Sequence, residues 1–235
     1  MPQFQLASFL LACVPLVASH GGGQQYTIDN VVHSGAGADV LNTTTSTIQR
    51  LWSYSGFDQR NNLTDALLAC GDPGTPSEHS YHAPHTAGST ISIDYIPAGS
   101  NQPTGFDHPY GPMLAYMAAC PAAGCEAVDT QAQIWFKIWQ VGLRSGEFVS
   151  GDWAMRDIQA GQPLAFATPK TLRPGKYLLR HEMVNLQTGP VQVFPNCVQL
   201  DVKGRGDSVP DKEALVAFPG AYEGNWGLGV VLLGA

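Results

Sequence analysis

The chain has 235 residues, of which 12 are Lys or Arg and 19 are Asp or Glu, so its formal net charge is −7. Charged residues make up 13% of the chain, about half the usual share for a globular protein. This composition excludes a general nucleic-acid binder, which needs clustered Lys and Arg. No apolar run reaches the roughly 18 residues of a membrane span. We therefore expect no nucleic-acid partner and no membrane association, and the length suits one domain.

The first segment predicts a secretory signal peptide over residues 1–19. It contains no charged side chain, residues 6–18 are mostly apolar, and Val17 and Ser19 suit the positions before a cleavage site. Cleavage after Ser19 would make His20 the first residue of a secreted, extracellular protein. No linker rich in Ser, Thr and Pro leads to a second domain, so we expect one domain over residues 20–235 without an appended carbohydrate-binding module.

The rest of the chain is typical of β-structure. Residues 62–70 predict a short helix, and polar and apolar residues alternate over residues 89–95 and 198–202, as in half-buried strands. A turn at residues 173–176 introduces another strand over residues 177–184. Many short strands between long loops predict an all-β fold, an antiparallel β-sandwich of the immunoglobulin-like or fibronectin type with long loops and short helices.

Secretion would place the cysteines in an oxidising compartment. Cys13 would leave with the signal peptide, and the four others suit two disulfides. Cys120 and Cys125 are close enough in sequence to close one loop, and Cys70 with Cys197 would then join distant parts of the chain.

Two tripeptides of the N-glycosylation type begin at Asn42 and Asn62. We expect both asparagines to be candidates for glycan attachment, which would place them on the surface of a secreted protein.

An N-terminal His20 would offer two adjacent nitrogen donors, its α-amine and its ring Nδ1, which can chelate one metal ion. The amine has a pKa of about 7.7–8.0 and deprotonates readily when a metal competes for its lone pair. One more imidazole would complete a T-shaped site of three nitrogens, which suits copper. The other histidines are His33, His79, His82, His85, His108 and His181.

Short motifs in a fixed order carry a family resemblance. They are His20-Gly21, Gly111-Pro112, Tyr116-Met117-Ala118, Trp135-Phe136-Lys137-Ile138, Gly142-Leu143, Pro174-Gly175-Lys176-Tyr177, Leu179-Arg180-His181-Glu182, Gln192-Val193-Phe194 and Phe218-Pro219-Gly220-Ala221-Tyr222. Together they resemble the fungal lytic polysaccharide monooxygenases of auxiliary-activity family nine, formerly glycoside hydrolase family sixty-one. The resemblance spans nearly the whole chain after residue 19.

The resemblance implies one copper ion in a histidine brace, held by the α-amine and Nδ1 of His20 and by a ring nitrogen of His108. The spacing between His108 and the Gly111-Pro112 pair is one residue longer than is common in the family. His82 and His85, in the loop before the strand at residues 89–95, are therefore competing candidates for the third ligand.

Around the copper, the resemblance implies catalytic roles for Gln192 and for the residue six positions after His181. That residue is Gln187, where the family has His, and Gln is not a comparable proton donor. Phe194 takes the axial position, where most members have Tyr. Gln192 and Phe194 are two residues apart, so an extended chain shows both on one face. His181 itself is expected to make a packing contact.

The implied reaction is oxidative cleavage of a β-1,4-glucan, cellulose or a relative, at C1 and/or C4. It would use O2 or H2O2 and an external electron donor. Tyr222 and Trp226 are the candidates for stacking on sugar rings, and a monomer is expected. The alternative is a non-catalytic copper- or glycan-binding secreted relative of the same fold, which Phe194, Gln187 and the longer His108 segment favour.

Overall fold

The computed structural model describes residues 21–36, 46–52, 63–97, 105–187 and 189–222. Within these ranges the elements are β1 (Gly21–Ile28), β2 (Val31–Ser34), β3 (Ala83–Thr86), β4 (Thr90–Pro97), β5 (Met113–Ala119), β6 (Phe136–Val141), β7 (Leu143–Ser145), β8 (Asp152–Trp153), α1 (Met155–Gln159), β9 (Leu164–Ala167), β10 (Gly175–Asn185) and β11 (Gln192–Lys203). Two 3-10 turns lie at Ala66–Leu68 and Lys212–Ala214. No helix in these ranges is both long and apolar enough to cross a membrane.

The strands form a sandwich of two main sheets and one small hairpin. One sheet has the order β2-β1-β4-β9 and the other β3-β11-β10-β5-β6, while β7 pairs with β8. All neighbours are antiparallel except β3, which runs parallel to β11. The predicted β-sandwich is confirmed. The expected strands at residues 177–184 and 198–202 fall within β10 and β11, and the one at residues 89–95 overlaps β4 from Thr90 onward.

Alternation along the strands divides the interior into two cores. On β11, Phe194, Val198 and Leu200 face the other sheet and pack in the larger core. Val193 and Cys197 point to the outer face of the five-stranded sheet, where a second core forms under the segments around Leu68, Trp135 and Phe218. Burial of these alternating apolar side chains stabilises both faces of the central strands.

Two disulfides fix the loops that cover this second core. Cys70 is bonded to Cys197 across 127 residues, which ties the segment before residue 71 to β11. Cys120 is bonded to Cys125 and closes a short loop after β5. Both predicted pairings are therefore confirmed.

One local expectation was wrong. The described part of the predicted helix at residues 62–70 holds only the 3-10 turn Ala66–Leu68, and Asp65 accepts a hydrogen bond from the Leu67 amide at its start. Pro195 does not interrupt β11, because it pairs with Glu182 on β10. On the other side of β11, pairing with β3 begins only at Leu200, so Pro195 lies where the strand is an edge and Pro is tolerated.

One end of the sandwich collects the starts of several strands. Gly21 at the start of β1 lies opposite Pro97 at the end of β4. On the other sheet, the register pairs Met113 with Met183 and Asn185 with Gln192. We call this the site end of the sandwich, because the expected site residues His108, Gln187, Gln192 and Phe194 all lie in or beside these strand termini.

Candidate metal site at the end of the sandwich

Three consecutive glycines allow β1 to begin in close contact with the rest of the site end. A Cβ on Gly21 would lie 2.7 Å from the Ile96 carbonyl oxygen and 3.1 Å from the Phe106 ring. A Cβ on Gly22 would lie 2.6 Å from the Trp52 ring, which is closer than real Cβ contacts allow. The residue that precedes Gly21 is therefore attached to backbone that packs directly against Phe106.

Phe106, His108 and Phe194 form an aromatic cluster beside this backbone. The Phe106 and Phe194 rings meet edge to face with centroids 5.0 Å apart, and the His108 ring lies 5.6 Å from Phe106 and 5.7 Å from Phe194. All three side chains are buried, and only 6% of His108 is exposed. Edge-to-face rings are a favourable arrangement, so the cluster holds the imidazole in one orientation.

A hydrogen bond to Gln187 assigns the two nitrogens of His108 different roles. Its Nδ1 lies 3.2 Å from Gln187 Oε1. An amide oxygen only accepts, so Nδ1 carries the proton and donates it, and the lone pair of the neutral ring is on Nε2. Histidines that bind metals are commonly oriented in this way, with the second ring nitrogen donating to an oxygen.

Asn185 joins the two glutamines that the sequence pointed to. Its Nδ2 donates to Gln192 Oε1 at 2.6 Å, and its Oδ1 accepts from the Gln187 backbone amide at 2.8 Å. Asn185 is fully buried at the end of β10, directly opposite Gln192 on β11. The sequence analysis missed this residue, because cross-strand pairing of residues 185 and 192 is not visible before the register is known.

The competing histidines are held in structural contacts elsewhere. His85 Nε2 lies 2.8 Å from Thr168 Oγ1, and the ring is fully buried in β3. His82 Nε2 accepts a hydrogen bond from the Cys125 backbone amide at 3.2 Å. Neither residue lies at the site end, where His108 lies.

His181 makes the packing contact expected of it. It is fully buried on β10, with Nε2 3.0 Å from the Tyr26 hydroxyl and Nδ1 2.6 Å from the Tyr95 hydroxyl. Burial, with a smaller effect of the nearby Arg180 charge, lowers the pKa of His181 to about 3. The ring is therefore neutral at physiological pH and pins both tyrosines of the opposite sheet.

Tyr222 does not offer a surface for sugar stacking, and this expectation was wrong. Only 4% of the side chain is exposed, and its hydroxyl donates to the Glu182 carboxylate. Glu182 is also paired with Arg180 at 2.8 Å, with both side chains fully buried. Arg180 lies 3.7 Å over the Phe218 ring. Tyr222 belongs to this buried charge network because a carboxylate buried in the second core needs hydrogen-bond donors.

Four of the expected residues lie outside the described residues. They are His20, Trp226, Asn42 and Asn62. Within the described ranges, no three side chains of His, Cys, Asp or Glu come together as a metal-binding group. The expected copper site needs only one imidazole from those ranges, because its other two nitrogens belong to His20. His108 is the imidazole that this expectation names, and it packs on the Phe106 ring, which in turn lies against Gly21.

Comparison with known proteins assigns the family. A family model described as Auxiliary Activity family 9 (formerly GH61) matches residues 20–230. The chain belongs to Auxiliary Activity family 9. Among family members, AA9 family lytic polysaccharide monooxygenase B of Heterobasidion irregulare is 34% identical over 220 residues, which cover 92% of this chain and 86% of that protein.

Other members of Auxiliary Activity family 9 agree in sequence and fold. The AA9 family lytic polysaccharide monooxygenase-like protein CEL1 of Agaricus bisporus is 33% identical over 92% of this chain. The chain spans 66% of the length of that relative. The crystal structure of HiLPMO9B superposes with a TM-score of 0.76 at 32% identity, over 86% of this chain and 87% of that one.

Two departures from the Auxiliary Activity family 9 pattern meet at His108. Gln187 contacts its Nδ1, and the Phe194 ring lies 5.7 Å from its ring. Gln187 and Phe194 therefore both lie next to the His108 imidazole. Gln187 contacts the imidazole that the resemblance gives as a copper ligand.

Proposed function

We propose that the protein is a secreted, copper-dependent lytic polysaccharide monooxygenase that acts as a monomer on a β-1,4-glucan such as cellulose. The observation that carries this proposal is His108, which Gln187 orients and which packs on the Phe106 ring that lies against Gly21, the residue after His20. Family membership supports the reaction class, and the family match begins at residue 20, where the signal peptide is expected to end.

The copper ion would be held by the α-amine and Nδ1 of His20 and by Nε2 of His108. When bound, copper supplies one-electron redox chemistry with O2 or H2O2, and an external donor provides the electrons. The proposed reaction would insert one oxygen atom into a C–H bond at C1 and/or C4 of a glucose unit, with the other oxygen atom leaving as water, and the hydroxylated carbon would then release its glycosidic bond. Three nitrogen ligands are a donor set that suits copper.

The protein side chains around this position would orient and enclose it. Gln187 holds the His108 ring through Nδ1 and so fixes the direction of Nε2. Gln192 is held by Asn185, which fixes the orientation of its amide beside Phe194. Phe194 would line the site with an apolar ring that packs beside His108 and offers no hydroxyl oxygen to the ion.

A second candidate function is a non-catalytic copper-binding protein of the same family. Phe194 and Gln187 favour it, because neither can donate or accept a proton as Tyr and His can. The two candidates share copper binding and differ in whether the glucan is oxidised.

The test uses protein processed to begin at His20. Calorimetric copper titration should show one tight site that is lost in His108→Ala and in a variant with one extra residue before His20. His79→Ala, which removes an exposed histidine, should bind like the wild type. Incubation with cellulose, copper and ascorbate should then release oxidised oligosaccharides.

Tight copper binding without oxidised products would establish the non-catalytic function. Absence of tight binding by the processed wild type would reject both functions. Retention of tight binding in His108→Ala would reject His108 as the ligand.

A further inference from the structure

The β7–β8 hairpin carries an exposed apolar patch. Leu143, Phe148 and Val149 are 40%, 43% and 69% exposed, respectively, and we call these three residues the hairpin patch. Single exposed apolar residues are normal, so the three on this hairpin matter because of where they lie relative to the site end.

The hairpin patch rests on a buried tryptophan. Leu143 lies directly opposite Trp153 in the pairing of β7 with β8. The Phe148 ring meets the Trp153 ring edge to face at 5.5 Å, and Trp153 Nε1 donates to the Phe148 carbonyl at 2.7 Å. Only 5% of Trp153 is exposed. The patch is therefore held in place, so binding through it would cost little ordering of side chains.

The hairpin lies at the same end of the sandwich as His108. β6 runs antiparallel to β5, so Val141 at its end lies opposite Met113. A Cβ on Gly142 would lie 3.6 Å from Pro112 Cβ. Pro112 follows His108 by four residues, a separation of at most about 14 Å for an extended chain.

A second contact fixes the base of the hairpin to the His108 segment. Arg156, on α1 just after β8, lies 5.0 Å over the Tyr110 ring and donates to its hydroxyl at 3.2 Å. The hairpin is therefore anchored on both sides to residues 110–112, next to the strand termini of the site end.

We propose that the hairpin patch is an auxiliary contact for the neutral polysaccharide, beside the metal site. The proposal rests on the proposed function, and it supplies the apolar platform that buried Tyr222 does not provide. Glucose rings present apolar C–H faces, which pack on aromatic and aliphatic side chains through the same burial of apolar surface that drives other contacts.

The charges around the patch argue against an anionic partner. Arg144 is the basic residue of the hairpin, and it is bridged to Asp152 at 3.1 Å and to Asp157 at 2.9 Å. Glu147 lies next to Phe148 in the exposed turn. A nucleic acid or an anionic lipid surface would meet carboxylates here, whereas a neutral glucan meets apolar side chains.

The experiment measures adsorption of metal-free protein to insoluble cellulose, so the readout does not depend on activity. Phe148→Ala should weaken adsorption about tenfold and Val149→Ser roughly fivefold, because each removes apolar area that the glucan would cover. Val209→Ser is the matched control, since Val209 is 54% exposed but follows the far end of β11. It should adsorb like the wild type.

If Phe148→Ala loosens the hairpin, the adsorption of Val149→Ser alone tests the proposal. Val149 is 69% exposed, so its replacement removes little packing. Adsorption of Val149→Ser and Phe148→Ala equal to that of Val209→Ser would overturn the proposal. A wild type that sediments as a dimer, with Val149→Ser monomeric, would overturn it in favour of a self-association surface. Weakened adsorption in a protein that releases no oxidised products would uphold the patch and reject only the enzymatic function.

Discussion

His181 makes the stability of this protein depend on pH. The ring is buried between two tyrosine hydroxyls, of which one donates to its unprotonated nitrogen and the other accepts from its N–H. Protonation would give the ring two donors and leave one tyrosine hydroxyl facing a donor. Burial in this setting lowers the pKa of His181 to about 3, against about 6.5 in an unfolded chain.

The sign and size of the effect follow from these two values. Below pH 6.5 the unfolded chain binds a proton that the folded chain excludes, so stability is lost as the pH falls toward 3. The loss is about 1.4 kcal/mol per pH unit, which amounts to about 2 kcal/mol between pH 8 and pH 5. His181→Gln keeps one donor and one acceptor for Tyr26 and Tyr95 but has no titrating ring.

The measurement is urea unfolding of the wild type and His181→Gln, with disulfides intact, from pH 8 to pH 5. The wild-type advantage in unfolding free energy should shrink by about 2 kcal/mol over this range. Burial also lowers the pKa of His33, His82 and His85, but these residues are present in both proteins and cancel. Parallel curves for wild type and His181→Gln would refute the reasoning.

Two further substitutions test the buried pair and the contact to His108. Arg180→Met should lower the free energy of unfolding by about 3–5 kcal/mol at pH 7, because it leaves the Glu182 carboxylate buried without its cation. Urea denaturation checks this, and a loss below about 1 kcal/mol would contradict it. Gln187→Ala should lower copper affinity about tenfold by freeing the His108 ring, measured by calorimetry with exposed Gln131→Ala as control. Unchanged affinity would remove Gln187 from the site.

The strands were predictable because their patterns are local. The alternation of polar and apolar residues over residues 89–95 and 198–202 indicates which side chains face a core. The same two-residue period is present in β4 and β11. It persists even through Pro195, because β11 is an edge at that position. The short helix α1 was not predicted, since five residues between β8 and β9 carry too few turns for a helical period to show.

The candidate site was only partly predictable, because it depends on register and close packing. His108, Gln192 and Phe194 could be named from motifs, whereas Asn185 acquires its role only when β10 pairs with β11. The three glycines after His20 are evident in the sequence, but the sequence does not show which neighbours take the place of their side chains. In the structure, the space for a side chain at Gly22 is occupied by the Trp52 ring and by Asn196.

Tyr222 shows how a motif can mislead about exposure. An aromatic residue in a loop after the last strand suggests a surface for sugar rings. Tyr222 is buried instead, because its hydroxyl donates a hydrogen bond to the buried Glu182 carboxylate, which also pairs with Arg180. Burial raises the pKa of Tyr222, and the Glu182 charge raises it further, so the hydroxyl remains a donor.

The arrangement along β10 links stability to the site. Its outer face carries the Arg180–Glu182 pair, its inner face carries His181, and the strand ends at Asn185. Both faces are therefore fixed by buried polar contacts immediately before the chain reaches Gln187. A site whose supporting residues lie on such a strand is held more accurately than one on loops. The proposed polysaccharide contact lies instead on the β7–β8 hairpin, outside the two strands that carry Asn185 and Gln192.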